Sequence, residues 1–347
     1  MDRRVTGALN AFLGVALMAL TMPAESLARG DPSFVPSSDE MSAIRLRPDV
    51  TSESAPVRIL DRAALAPLPT FATRPFAISW VTIQTLPWAD LPLNGRHLLS
   101  LKIAAGSDSN GIVYKVINGR RVYSPGNLAS DGIRYVDGYV RTGDRAYLDR
   151  AVVRAKKLSS LSRLSGGARY FPYMYDYASE KLKAPWYSAY SQGFALSLFV
   201  RLYRVTGLQV WADRARETAM SFRRLGRTTR PWVAYVLNRR LWLEEYPSAT
   251  PTHVMNGFNF ALFGLYDYER LTRDPAARDL LRGALKTMRS FGTRYRVPGG
   301  ISYYDLVHRT RHPRYHLIHT WQLRSLAAIS GDTWYRSLAA AYWRDYH

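Results

Sequence analysis

Residues 205–215 read VTGLQVWADRA, and three further stretches of the chain repeat this pattern. They are RTGDRAYLDRA at 141–151, LTRDPAARDLL at 271–281 and ISGDTWYRSLA at 329–339. In each stretch one helical pattern stops at a glycine or an arginine, and a second amphipathic pattern begins at once. Glycine ends helices readily because it adopts the left-handed backbone conformation at little steric cost. Each stretch therefore predicts a tight turn that joins two helices into a hairpin.

The four turns recur at similar intervals. Their central residues lie 64, 66 and 58 positions apart and are Gly143, Gly207, Arg273 and Gly331. Aspartates follow three of them, at positions where a carboxylate accepts N–H groups of the next helix; these are Asp144, Asp274 and Asp332. Repeated helical hairpins bury their apolar stripes against their neighbours. We therefore expect a mainly α fold, an α/α toroid in the form of an incomplete barrel of about four hairpins, with a simple helical bundle as the alternative.

The chain before the hairpins has a different pattern. Residues 76–84 and 97–103 alternate and carry β-branched or aromatic side chains, which predicts short strands. Residues 110–123 predict a β-hairpin that turns at Asn118-Gly119. We expect a short strand region at 76–125 before a helical domain at 126–347, and a linker or extended arm at 29–75.

Residues 1–28 have the pattern of a secretory signal. Arg3 and Arg4 precede an apolar run at 8–22, and Ser26-Leu27-Ala28 fits a small-residue cleavage site. The apolar run is short for a membrane span. We expect a secreted or periplasmic protein with no stable membrane span after cleavage, and an uncleaved anchor is the alternative.

The composition indicates a polyanionic partner. The formal net charge is +21, and the basic residues are 41 Arg and only 7 Lys. Arginine binds carboxylates and sulfates through two parallel hydrogen bonds, although a GC-rich genome also raises the arginine count. Predicted export argues against nucleic acid as the partner. The absence of cysteine excludes disulfides, thiolate metal sites and a cysteine nucleophile.

Three long connections between the predicted hairpins concentrate Tyr, Trp, His and acidic residues. They read APWYSAYSQG at 184–193, WLEEYPSATPTHVMNGF at 242–258 and ISYYDLVHRTRHPRYHLIHTWQL at 301–323. Polar and aromatic residues beside Pro and Gly, just before a helix, are poor core material. They are typical of the lining of a cleft.

These connections resemble the C-terminal domain of the D-glucuronyl C5-epimerases, the heparan sulfate and heparosan epimerases. The matching pieces are Pro185-Trp186-Tyr187-Ser188-Ala189, Ser191-Gln192-Gly193, Glu244-Glu245-Tyr246-Pro247, Asn256-Gly257-Phe258, Gly264-Leu265-Tyr266-Asp267, Tyr304-Asp305-Leu306, Tyr315-His316, His319 and Gln322-Leu323. The resemblance covers roughly residues 120–347. It implies a polysaccharide uronyl C5-epimerase that converts D-glucuronate to L-iduronate residues, with an acidic polysaccharide as partner and a homodimer left open.

Epimerisation at C5 needs a base on one face of the sugar, an acid on the other and positive charge on the carboxylate. By resemblance the catalytic tyrosines are Tyr246, Tyr304 and Tyr315, with Tyr304 and Tyr315 as the opposed pair. We expect nearby cations to lower their pKa. The residues expected to bind or support the sugar are Glu245, Tyr187, Gln192, Asn256, His316, His319, Arg311 and Arg314. Trp186 and Trp242 are candidates for stacking on sugar faces.

One position departs from the family. The family typically has an arginine where this chain has Val307, and Arg309, Arg311 or Arg314 are possible substitutes. This departure favours a noncatalytic polyanion-binding protein, and a polyuronate lyase also stays open because it begins with the same proton abstraction. Four histidines at 308, 312, 316 and 319 have helical spacing, but Pro313 interrupts a helix there, so we expect no metal and no cofactor.

Overall fold

A computed structural model of the chain describes residues 57–95, 97–228 and 230–346. This part of the chain contains eight α-helices. They are α1 (Pro125–Thr142), α2 (Arg145–Leu161), α3 (Ala189–Thr206), α4 (Gln209–Arg223), α5 (Met255–Thr272), α6 (Pro275–Phe291), α7 (Pro313–Ser330) and α8 (Thr333–Asp345). The predicted signal at 1–28 and most of the predicted arm lie outside the described residues.

Four tight turns join the helices in pairs at the predicted positions. The residues that end α1, α3, α5 and α7 have left-handed backbones with φ between 59° and 72°, and they are Gly143, Gly207, Arg273 and Gly331. The carboxylates that accept an N–H group at the start of the next helix belong to Asp144, Asp274 and Asp332. The four predicted hairpins are confirmed.

The first helix of each hairpin forms an inner layer. α3 packs against α1 and α5, and α5 also packs against α7, while α2, α4, α6 and α8 each pack on the inner helix that precedes them. Both α3 and α5 are buried along nearly their whole length. Among the described residues, α7 and α1 are not in extensive contact. The fold is therefore an incomplete α/α barrel of four hairpins, as predicted.

Two glycines bring α3 and α5 into backbone contact. A Cβ atom on Gly193 of α3 would overlap the backbone of Phe260 and Ala261 on α5, and one on Gly264 would overlap Gly193 itself. The two central inner helices therefore have a fixed separation. Their N-terminal ends are fixed relative to each other by the same contact.

Three short antiparallel hairpins accompany the helices, one before α1 and two in the connections. They are β1 (Lys115–Ile117) with β2 (Arg120–Val122), β3 (Arg163–Ser165) with β4 (Ala168–Tyr170), and β5 (Ala234–Leu237) with β6 (Arg240–Leu243). The first turns at Asn118-Gly119, where both residues have positive φ, as predicted. The third leads directly into Glu244 and Glu245.

The strands predicted at 76–84 and 97–103 are wrong, because neither segment pairs with another strand among the described residues, and the second contains bends. The segment 76–84 is buried on one side only at its start, since Phe76 and Ile78 are buried whereas Trp80, which continues the same alternation, is 79% exposed. Its backbone groups bond instead to helix termini and arginines: Gln84 N donates to Ile329 O, and Arg270 donates to Ile83 O. An alternation of side chains with a period of two is therefore not enough to show that a segment pairs with another strand.

Candidate active site

Tyr246, Tyr304 and Tyr315 meet at the N-terminal ends of the inner helices. Tyr246 follows Glu244, whose carbonyl oxygen accepts the N–H of Ala189, the first residue of α3. The carbonyl oxygen of Tyr304 accepts the N–H of Met255, the first residue of α5. Tyr315 lies in the first turn of α7. Three connections that are far apart in sequence therefore contribute one tyrosine each to the same place.

A chain of hydrogen bonds links two of these tyrosines to a carboxylate. The hydroxyl oxygens of Tyr246 and Tyr304 are 3.2 Å apart, and Tyr304 Oη donates to Glu245 Oε1 at 3.4 Å. The rings of Tyr304 and Tyr315 are in contact, with centroids 4.5 Å apart. That separation leaves no room for a sugar ring between the two aromatic rings. If Tyr304 and Tyr315 act on opposite faces of one sugar, they must do so through their hydroxyl groups.

Glu245 is the acidic centre of this group and is 3 % exposed. Burial raises its pKa to about 7, although hydrogen bonds from Tyr246 and Tyr304 lower it. Its carboxylate lies against Gly257 in the first turn of α5, where a Cβ atom would overlap Glu245 Oε2. Glu245 is therefore poised to change its protonation state near neutral pH while bonded to a tyrosine.

The tyrosines are not activated by cations. Burial raises the pKa of Tyr246 and Tyr304 well above the ordinary value, and the charge of Glu245 raises it further. The pKa of Tyr315 is also raised by burial and by Glu245, and Arg314 offsets only part of this rise. The expectation that cations lower these pKa values is wrong, because the connections place a carboxylate rather than a guanidinium beside the hydroxyls.

Further acidic residues surround the tyrosines. Burial raises the pKa of Glu180 to about 8, and the charges of Asp305 and Glu245 raise it further. Glu244 is buried and lies 2.7 Å from the Nδ1 atom of His253. The charge that faces inward at the site is therefore acidic, whereas the protein as a whole is basic.

Stacked aromatic residues form the wall beside Tyr246. The rings of Trp186 and Tyr173 are stacked with centroids 4.1 Å apart, and Tyr177 lies 6.0 Å from Trp186 and 5.3 Å from Tyr246. Trp186 is 2 % exposed. It is therefore a packing residue of the wall, and its indole face is not open for a sugar.

A family model described as "D-glucuronyl C5-epimerase C-terminus" matches residues 165–344, just over half of the chain. The chain belongs to this family. Glu245 and the three tyrosines all lie within the matched segment. Membership in the D-glucuronyl C5-epimerase C-terminal family supports a carbohydrate epimerase.

Two curated relatives cover the same region. The D-glucuronyl C5-epimerase of Caenorhabditis elegans is 25% identical over 176 residues, which is 45% of this chain and 28% of that protein. An uncharacterized protein of Methanocaldococcus jannaschii is 26% identical over 166 residues, which is 47% of this chain and 53% of that protein. The chain therefore matches only about a quarter and about half of the length of these relatives.

Two solved structures of sugar-active enzymes have a similar fold at low identity. The cellobiose 2-epimerase of Bacillus thermoamylovorans is 14% identical with a TM-score of 0.49, covering 69% of this chain and 66% of that one. A family 76 α-mannanase of Bacteroides thetaiotaomicron is 13% identical with a TM-score of 0.43, covering 65% of this chain and 57% of that one.

Other residues that the family resemblance singled out are held in structural contacts. Gln192 bonds to Phe171 N, to Arg169 O and to Ser221 Oγ, so its amide ties β4 and α4 to α3. His316 accepts from Ser302 N and lies 2.8 Å from Tyr342 O. These side chains support the loops, and their polar atoms already have partners in the protein.

Asn256 and His319 are both buried. Asn256 Oδ1 and His319 Nε2 lack a hydrogen-bond partner within the described part of the chain. Burial lowers the pKa of His319 to about 3, so this histidine is neutral. Trp242 is buried against His253, and Tyr187 is half-buried against Tyr170.

Of the arginines considered in place of Val307, Arg309 and Arg311 are exposed on the loop, and Arg314 is half-buried in the first turn of α7. Val307 is 55% exposed. Arg311 is also exposed and donates to Tyr303 Oη at 3.2 Å, beside the buried Tyr304 and not against it. Arg314 acts on Tyr315 electrostatically. Within residues 57–346, apart from the two undescribed positions, no helix has the length and apolar character needed to cross a membrane, and no cluster of metal-ligating side chains occurs.

Sequence reasoning missed Glu180 and the aromatic wall. Tyr173, Tyr175 and Tyr177 occupy alternate positions of an extended segment. That alternation of one residue type was visible in the sequence and indicates a shared face. Glu180 gave no such signal, because its position beside Asp305 and Glu245 depends on the folding of distant connections.

Proposed function

We propose that the protein is a uronyl C5-epimerase that converts D-glucuronate to L-iduronate residues within an acidic polysaccharide. The observation that carries this proposal is the hydrogen-bonded chain from Glu245 through Tyr304 to Tyr246, with Tyr315 packed against it. The predicted secretory signal favours activity outside the cytoplasm. The proposal holds for a monomer and for a homodimer.

Glu245 and Tyr304 supply the base. As the C5–H bond breaks, its proton passes to Tyr304 Oη while the phenolic proton of Tyr304 passes to the ionised Glu245. The electron pair moves into the uronate carboxylate as an enolate. The raised pKa values keep the other tyrosines protonated, which leaves the Tyr315 hydroxyl able to donate its proton to the opposite face of C5. The Tyr315 phenolate then regains a proton from solvent, and Glu245 releases the one that it took up. A carboxylate with a pKa of about 7 is well matched to such proton transfer near neutral pH.

Helix N-termini and two cations supply the positive potential for the substrate carboxylate. α3, α5 and α7 all begin at the tyrosines, and a helix N-terminus favours negative charge. Lys115 on β1 is half-buried, and its Nζ atom lies 5.9 Å from the ring centre of Tyr175. We assign Lys115 and Arg314 to the carboxylate, in place of the family arginine that is Val307 here.

Incubation with heparosan and other glucuronate polymers in D₂O tests the proposal. We expect deuterium at C5 and iduronate in the product, with no change in chain length. Tyr304→Phe should lower the exchange rate at least 10²-fold, because it removes the hydroxyl that relays the proton. Tyr203→Phe, near the opposite end of α3, is the matched control. Unsaturated uronate ends and shorter chains would identify a lyase instead.

A noncatalytic acidic-polysaccharide-binding protein is the second candidate. The observations that favour it are the exposed Val307 and the raised tyrosine pKa values. Binding of the polymers without C5 exchange, unchanged in Tyr304→Phe, is the result that this candidate requires. The epimerase proposal would then be abandoned.

Gly257 is a positioning residue in this scheme, and Gly257→Ala should impair it. The added methyl group would overlap Glu245 Oε2 and push the carboxylate away from Tyr304. We expect the C5 exchange rate to fall about tenfold or more and stability to fall by about 1–3 kcal/mol. Urea unfolding and the exchange assay measure the two effects.

Gly300→Ala is the control for Gly257→Ala. A Cβ atom there meets only Val297, with its Cγ1 atom at 3.4 Å and its carbonyl oxygen at 4.0 Å, both ordinary contact distances. Its stability should stay within about 0.5 kcal/mol of the wild type. Equal exchange rates in the two variants would show that the close approach of Glu245 to α5 is not needed.

A further inference from the structure

The loop at 303–311 is a rigid hairpin with two different sides. Tyr303 and Arg311 form a backbone bridge, and Tyr304 N donates to Thr310 O. Asp305 accepts from Val307 N and from Thr310 Oγ1, which fixes the turn. Consecutive side chains of an extended segment point to opposite sides. Tyr304 therefore faces the buried tyrosines while Tyr303 faces outward.

Two arginines lie near the Tyr303 ring on that outer side, and a third lines the cavity beside it. The guanidinium carbons of Arg309 and Arg311 lie 5.7 Å and 5.0 Å from the centre of its ring. Arg294 and Leu306, together with Tyr303 and Arg309, line a cavity of about 430 Å³. Arg294 comes from the segment after α6, so two separate parts of the chain bring positive charge to one surface cavity.

These arginines lack acidic partners. Within the described part of the chain, no ion pair involves Arg294, Arg309 or Arg311, and all three are exposed. Their neighbour Arg296, by contrast, is bound by Asp345 at 2.6 Å. Three like charges held close together without a counterion produce a local positive potential that attracts anions.

We propose that this cavity, the Tyr303 platform, binds the anionic groups of an acidic polysaccharide outside the sugar that reacts. Carboxylate and sulfate groups each present two oxygen atoms that can accept parallel hydrogen bonds from one guanidinium group. The proposal rests on the proposed function for its substrate class. The platform and the buried tyrosines are two sides of the same hairpin, because Tyr303 and Tyr304 are adjacent in sequence.

The double variant Arg294→Ala with Arg309→Ala tests the platform by titration calorimetry at fixed ionic strength. The probes are short and long heparosan chains, heparin, and duplex DNA. We expect the wild type to bind long heparosan more tightly than short. The variant should lose about tenfold in affinity for long chains, from two exposed charge-assisted contacts. A double variant of two exposed arginines elsewhere, Arg62→Ala with Arg336→Ala, removes the same charge and should lose much less.

The outcomes are distinct. If the Arg294→Ala, Arg309→Ala variant loses affinity for heparosan, the platform binds carboxylates. If it loses affinity for heparin alone, the platform binds sulfates. Equal affinities of the two double variants for both polysaccharides, or the same loss for DNA, would overturn the platform. If the platform variant loses affinity while the wild type shows no C5 exchange, the platform stands and the epimerase proposal fails.

Discussion

Glu245→Gln is expected to slow deuterium exchange at C5 of glucuronate by about 10³-fold, the scale of a lost general base. Glutamine keeps the shape of the side chain and accepts a hydrogen bond from Tyr304, but it takes up no proton. The wild-type rate should rise with pH through about 7, because Glu245 must be ionised to accept the proton. The variant should lack this rise, and single-turnover exchange across the pH range measures both effects.

Stability provides the control for this variant. A carboxyl group whose pKa is raised on folding is neutral in both the folded and the unfolded chain at low pH. It therefore does not lower the free energy of unfolding there. Between pH 4.5 and about 7 the unfolded chain ionises while folded Glu245 does not, and wild-type stability falls. Glu245→Gln removes this penalty, so its urea midpoint should exceed that of the wild type at pH 8 and equal it at pH 4. A variant that loses exchange and also unfolds more easily at pH 8 would point to structural damage.

The hairpins were predictable because their signals are local. A left-handed residue followed by a capping aspartate determines a turn within a few positions, whatever the rest of the chain does. The strand predictions at 76–84 and 97–103 were wrong because strand formation does not depend on local signals alone. Strand pairing needs a partner elsewhere in the chain, and here helix termini and arginines such as Arg270 and Arg282 take up the backbone groups.

The residue types of the candidate site were predictable, but its electrostatics were not. The motifs indicated Tyr246, Tyr304 and Tyr315, and the structure brings them together. The sequence contains 48 basic residues, which favoured a cationic site. Burial of the tyrosines and their proximity to Glu245 arise only when distant connections fold together, and these reverse the predicted direction of the tyrosine pKa shifts.

Arg201→Met is expected to destabilise the protein by about 3–5 kcal/mol, because it leaves buried carboxylates without their cation. Arg201 on α3 is fully buried and lies between Asp137 of α1 and Asp267 of α5, at 3.0 Å and 3.2 Å. It also donates to Asn94 in the extended N-terminal segment. Methionine has a similar length but offers no charge, so the urea midpoint should fall strongly.

The pH dependence distinguishes an unpaired charge from a packing defect. Burial already raises the pKa of Asp137, and Arg201 is the cation that opposes this rise. Without Arg201 the pKa of Asp137 in the folded protein rises further. The loss of stability caused by its unpaired charge is therefore absent at low pH and complete only above that pKa. The difference between the variant and the wild type should therefore be smaller at pH 4 than at pH 8. Adding Asp267→Asn should recover part of the loss at pH 8.

An exposed ion pair supplies the comparison. Arg74 bonds Asp279 at 3.0 Å, but its side chain is 34% exposed. Arg74→Met should therefore cost at most about 1 kcal/mol. If Arg201→Met cost no more than Arg74→Met, or cost the same at pH 4 and pH 8, the triad of Arg201, Asp137 and Asp267 would not be what holds the three inner helices together. A large loss that shrinks on acidification is specific to uncompensated buried carboxylates, because a cavity left by a shortened side chain does not titrate.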